Sequence, residues 1–135
     1  MERNDIRWLQ RFQHFERAFI SLRELANLAQ YSEIEIDAAI QRFEIAFELA
    51  WKTLQDLLTD RGYIELRGTK NAITKAFQDG IISDGEIWLR MHADRNILSH
   101  TYEYNVSRKI FQNIRDSYIP ALEIFYKDLS DERNK

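Results

Sequence analysis

An all-α fold, an antiparallel four-helix bundle with one additional short helix, is predicted by three features of this 135-residue chain. Its 4 Gly and 1 Pro are too few for the turns of a β-sandwich or barrel. Apolar residues recur at steps of three and four almost throughout, which is the helical period. A hydrophobic share of 44% beside 30% charged residues supplies a core while leaving a charged surface. The length is that of an ordinary domain, so one helical-bundle domain over 1–135 is expected.

Trp8, Phe12, Phe15, Phe19, Leu22 and Ala26 form an aromatic stripe along a first long helix, with Arg11, Glu16, Arg17 and Arg23 largely off it. A second stripe runs through Ile36, Ile40, Phe43, Phe47, Ala50, Leu54 and Leu58; Ser32 or Asp37 can cap its start and Gly62 its end. After the linker Leu66-Arg67-Gly68-Thr69, a short helix with Ile73, Ala76 and Phe77 as its apolar positions ends near Gly80. Ser83 or Asp84 can cap the next helix, whose apolar face is Ile87, Trp88, Met91 and Leu98. A last helix starts near Asn105 and carries Val106, Ile110, Ile114, Tyr118, Leu122, Phe125 and Leu129. Pro120 lacks a backbone donor and clashes one turn back, so a kink is predicted over Asp116 to Pro120. The tail from Asp131 to Lys135 is expected to fray.

No apolar run approaches the roughly 20 residues that cross a bilayer. The start, Met1-Glu2-Arg3-Asn4-Asp5, lacks the order of a secretion signal. A soluble, cytoplasmic protein without a membrane partner is expected. With 0 Cys, a disulfide, a thiolate nucleophile and a cysteine zinc site are excluded. The net charge of -3 argues against a broad basic surface that coats nucleic acid and leaves room for one local basic site.

The segment Asp94-Arg95-Asn96-Ile97-Leu98-Ser99-His100-Thr101-Tyr102 brings a permanent cation, an amide, an imidazole and a phenol to one helix end. The architectural alternative leaves Asp94 and Arg95 solvated, His100 complementing the helix C-terminus and Tyr102 covering the bundle end. Arg95 and His100 stand about 140° apart around a helix, but a long guanidinium can lean toward the imidazole, especially where the helix loosens after Ser99, so that both line one cleft while Ile97 and Leu98 anchor the helix inward. The guanidinium fork suits a phosphate, and the imidazole moves protons near neutral pH.

The string RNILSHTY, read as R-x-x-x-x-H-x-Y with Asn96 after the arginine, resembles the signature of HEPN domains, in particular the HepT-like group. The stretches AIQRFEIAFELAWKTLQDLL from Ala39 to Leu58 and IISDGEIWLRM before the motif resemble the nucleotidyltransferase substrate-binding protein family of that superfamily. One departure is Arg67-Gly68-Thr69-Lys70, where relatives are expected to carry Ser-Pro.

The resemblance implies a two-component system with a minimal nucleotidyltransferase as partner. It implies a toxin that cleaves RNA without metal or other cofactor, with Arg95, Asn96 and His100 catalytic and Arg95, His100 and Tyr102 binding substrate. It further implies that the partner adenylylates Tyr102, placing bulk and negative charge beside the cleft. One imidazole does not readily serve as base and acid in one concerted step, so a homodimer sharing a cleft is expected. The alternative is a non-catalytic subunit that presents a nucleotide or RNA to the nucleotidyltransferase.

Other polar and aromatic residues have plainer readings. Glu44, Glu48 and Lys52 read as a solvated ladder rather than a partner surface. Phe43, Phe47 and Trp51 read as core or dimer contacts rather than a nucleobase platform. His92 stands two positions before Asp94 and eight before His100, a spacing that does not place three metal ligands on one side of the helix, and His14 reads as exposed.

Overall fold

A computed structural model describes residues 3–64, 66–101 and 103–135, and they form the predicted all-helical bundle. Helix α1 spans Arg3–Ala26, α2 Glu33–Asp60, α3 Thr69–Gln78 and α4 Gly85–His100. The last arm is α5 (Tyr104–Asn113), a π-helical turn at Ile114–Tyr118, and α6 (Ile119–Arg133).

Polar bonds between helices fix their directions. Arg11 Nε donates to Asp56 Oδ2 at 3.0 Å and Arg42 Nη1 to the Ser21 carbonyl at 2.8 Å, so α1 and α2 run antiparallel. Arg23 binds Glu123 at 2.9 Å, and Tyr126 donates to Glu16 Oε2 at 2.7 Å, which makes α1 and α6 antiparallel as well. Along α2 and the last arm, Asp37 meets Arg108 and Phe43 stacks on Tyr118, an ascending register that sets these two parallel. This is the up-down-up-down arrangement of a four-helix bundle, with α3 as the extra short helix.

Apart from Ala26 and Phe77, the stripes read from the sequence form one buried cluster, with Ile36, Ile87, Leu98 and Val106 partly buried against it. Phe12, Phe15, Phe19 and Leu22 of α1 are fully enclosed. Phe15 stacks on Phe19 and meets Phe125 edge-on, and Phe125 in turn meets Trp88 edge-on at 5.1 Å. Such ring pairs contribute beyond area burial, about 1 kcal/mol each.

Local chemistry sets the ends. Ser32 caps α2: its side chain accepts from Glu35 N, and the Glu35 carboxylate accepts from Ser32 N, a capping box, whereas Asp37 lies inside the helix. Past the end of α2, Gly62 takes φ +96°, a conformation that favours glycine. Asp84 precedes α4 without a side-chain cap bond.

Three expectations need correction. Phe77 is not a core residue: it is 51% exposed, and its ring lies over Gly85, where a Cβ would come within 2.9 Å of it. The Pro120 interruption takes the form of a π turn that starts before the stretch near Asp116 to Pro120 where a kink is predicted: Ile119 N–H donates five residues back to Ile114, a widened turn beginning at Ile114. The tail stays helical to Arg133, because Arg133 binds Glu16 at 3.1 Å and lies over the Phe12 ring.

Candidate active site

Helix α4 carries the motif on its second half. Its first half is anchored by Trp88 and Met91, both fully buried. Its middle is fixed by Asp94, which accepts hydrogen bonds from the Tyr118 hydroxyl and, at 3.1 Å, from Asn113 Nδ2. Burial and then the Asp94 bond push the Tyr118 phenol far above its ordinary pKa, so the pair is a phenol donating to a carboxylate. The π turn thus presents the hydroxyl that locates α4. Asp94 is a structural acceptor, contrary to the solvated role of the architectural reading.

One position on, Arg95 leans from α4 onto α2, where Nη2 donates to Glu48 Oε1. Glu48 is a junction: it also takes Lys52 at 3.0 Å and the indole N–H of Trp51 at 3.2 Å. Burial opposes ionisation of Glu48, but the bonds from Lys52 and Trp51 and the charge of Arg95 outweigh it and hold the carboxyl below its ordinary pKa. Glu44, one turn earlier, has its pKa raised by burial, with Arg95 offsetting part of the rise. The guanidinium engages Glu48 through one nitrogen, and its planar fork has further N–H donors for an anion. Arg95, Gln41, Glu44, Ile45, Glu48 and Leu49 line an open groove of about 510 Å³ between α2 and α4.

Asn96 is exposed, with its side-chain nitrogen 3.5 Å from His92 Nε2. His100 is exposed and is the last residue of α4. The helix does not loosen after Ser99: Thr101 N–H still reaches the Ile97 carbonyl at 3.1 Å, and Ser99 Oγ donates to the Arg95 carbonyl. Ile97 is 42% exposed rather than anchored inward; Leu98 packs against the core. Among the described residues, therefore, one chain does not bring the Arg95 guanidinium and the His100 imidazole into contact. Tyr102 lies outside the described residues.

A second cavity of about 590 Å³ adjoins this end of α4, lined by Asp37, Ile40, Glu44, Leu98, Thr101 and Arg108 among others. Arg108 binds Asp37 at 3.1 Å and lies over the Tyr104 ring. Among the described residues no group of three or more His, Cys, Asp or Glu side chains could hold a metal ion. No helix among them is long and apolar enough to cross a membrane.

Of the residues that shape the site, sequence reasoning missed Glu48, Asp94 and Tyr118. The Glu48–Lys52 spacing of four residues signalled a local pair, and that pair is present. Nothing in the local pattern points from Glu48 to an arginine 47 residues away. Phe43 and Phe47 are core residues, as read; Trp51 is half-buried and supports Glu48.

The described residues thus form a helical bundle in which α4 carries an Arg-Asn pair and ends on an exposed histidine. The chain belongs to the family described as nucleotidyltransferase substrate binding protein like, whose model matches residues 10–131. It is similar to a Haemophilus influenzae protein named "Probable ribonuclease HepT", 32% identical over 90 residues, covering 64% of this chain and 62% of that relative. The chain thus aligns with less than two thirds of that relative's length. A crystal structure of a Thermus thermophilus protein shares the fold with a TM-score of 0.77 and 38% identity, over 85% of this chain and 98% of the other.

Proposed function

We propose that this chain is the HEPN subunit of a two-component toxin-antitoxin system, an endoribonuclease that works as a homodimer and is held in check by a minimal nucleotidyltransferase. The observation that carries this reading is the exposure of Asn96 and His100 on the half of α4 that also carries Arg95, at positions the core does not need. The likeness to a relative named as a probable ribonuclease supports it.

RNA supplies its own nucleophile. In the proposed reaction the 2′-oxygen bonds to the adjacent phosphorus, its proton passing to an imidazole. The bond from phosphorus to the 5′-oxygen breaks, and that oxygen takes a proton, leaving a 2′,3′-cyclic phosphate and a 5′-hydroxyl. Arg95 stabilises the charge that grows on the phosphoryl oxygens, Asn96 donates to one of them, and His100 moves the proton. The second His100 of a dimer serves as the other proton-transfer group, and Tyr102 helps bind the RNA. Cytoplasmic RNA is the substrate class.

Restraint follows from charge. The Tyr102 oxygen gives up its proton to solvent and bonds to the α-phosphorus of ATP in the partner enzyme, the bond to pyrophosphate breaks and pyrophosphate leaves, and the attached AMP brings a negative phosphate to the mouth of the cleft. RNA phosphates are then repelled and blocked.

The second reading, a non-catalytic subunit that presents a nucleotide or RNA to the nucleotidyltransferase, draws support from the family's description and from the pairing of Arg95 with Glu48 rather than with His100. Incubating purified protein with RNA in excess chelator separates the two. Cleavage to cyclic-phosphate ends, by a species that sediments as a dimer, is expected. RNA binding without cleavage, retained in His100→Ala, would establish the presenting subunit instead.

A further inference from the structure

The side-chain amide of Asn96 has a donor end and an acceptor end, and the chemistry it offers a ligand depends on which faces outward. One helical turn earlier, His92 Nε2 lies 3.5 Å from the amide nitrogen Nδ2, at the outer edge of hydrogen-bonding range. A half-turn of the amide exchanges its oxygen and nitrogen, so this contact fixes the two groups that meet and leaves the donor to be decided by chemistry.

The other ring nitrogen decides it. His92 Nδ1 is buried and, among the described residues, has no hydrogen-bond partner. A neutral imidazole carries one proton. On Nδ1 that proton would be a buried donor with no acceptor; on Nε2 it points at Asn96 and leaves a lone pair at Nδ1. Orphaned buried N–H groups are the rarer defect in proteins.

We propose that His92 is a positioning residue: its Nε2–H donates to Asn96 Oδ1, which turns the Asn96 amino group outward as a fixed donor to an anionic phosphate oxygen. A charged imidazolium would put a proton on both nitrogens and remove the preference. Burial, then the charges of Arg95 and Lys70, hold the His92 pKa below its ordinary value, which favours the neutral ring. Asn96 is exposed, so its outer end is open to a ligand. The tautomer rests on the buried Nδ1 and the neighbouring amide of a neutral ring; the use of the outward amino group rests on the RNA-cleavage reading.

Two-bond proton–nitrogen correlation spectra of isotope-labelled protein near neutral pH read the tautomer directly. A protonated Nε2 with a bare Nδ1 is expected, and the reverse would overturn the proposal. In RNA cleavage, His92→Leu is expected to lower kcat about tenfold with little change in KM, the scale of one lost hydrogen bond. His92→Gln, whose amide nitrogen reaches the place of Nε2, is expected to stay within about threefold of wild type. The double variant His92→Leu/Asn96→Ala should be no slower than Asn96→Ala alone; losses that multiply would overturn the positioning role. A wild-type protein that cleaves no RNA defeats the nuclease reading, while the spectra still decide the tautomer.

Discussion

The seam between α1 and α6 and the second half of α4 solve opposite problems. Along the seam, every large side chain from Phe12 to Leu22 on the inner face is enclosed, and the flanking charges are paired: Arg23 with Glu123, Arg133 and Tyr126 with Glu16. Along α4 from His92 to His100, an amide and an imidazole face solvent, a second imidazole has one buried nitrogen without a described partner, and an isoleucine is exposed. The seam is where the fold is made; the α4 end retains polar groups that folding does not use. Groups kept in that condition are candidates for chemistry.

Substitutions should therefore divide into two kinds. The largest effect on stability is expected at the seam, where Phe19→Ala removes a fully enclosed ring and should cost about 4 kcal/mol in chemical denaturation. Tyr118→Phe comes next. It strips one donor from Asp94 and should cost about 1.5 kcal/mol in chemical denaturation.

Glu48→Gln tests the boundary between the two regions. It keeps the shape of the junction but removes the charge that Arg95 and Lys52 engage. We expect stability to change by under about 1 kcal/mol, as for partly exposed pairs, and RNA affinity to change because Arg95 is released. The smallest effect concerns pH. The folded state lowers the His92 pKa, so the unfolded chain takes up a proton first as pH falls through the ordinary value of 6.5. Stability therefore falls with acidity in that window, and His92→Gln should flatten the slope of unfolding free energy against pH there.

Much of the seam was legible in the sequence, because helical periodicity is a local property and each stripe reports its own buried face. The capping box at Ser32 and the stop at Gly62 are local for the same reason. Phe77 and the tail were misread because their surroundings come from elsewhere: Gly85 offers Phe77 a bare backbone to lie on, and Glu16 holds Arg133 from 117 residues away. At the α4 end, the residue types of the motif were visible, but Glu48, Asp94 and Tyr118 acquire their roles only when α2, α4 and the π turn meet. The widened turn itself follows from Pro120, whose missing donor the sequence announced without showing how the backbone would accommodate it.

The most direct measurement compares His100→Ala with wild type in both chemical denaturation and cleavage of RNA under excess chelator. An unfolding free energy within about 0.5 kcal/mol of wild type is expected, together with a cleavage rate at least about a hundredfold lower. Cleavage that persists at the wild-type rate, or a loss of activity matched by a loss of folding, would contradict the assignment of this helix end to chemistry.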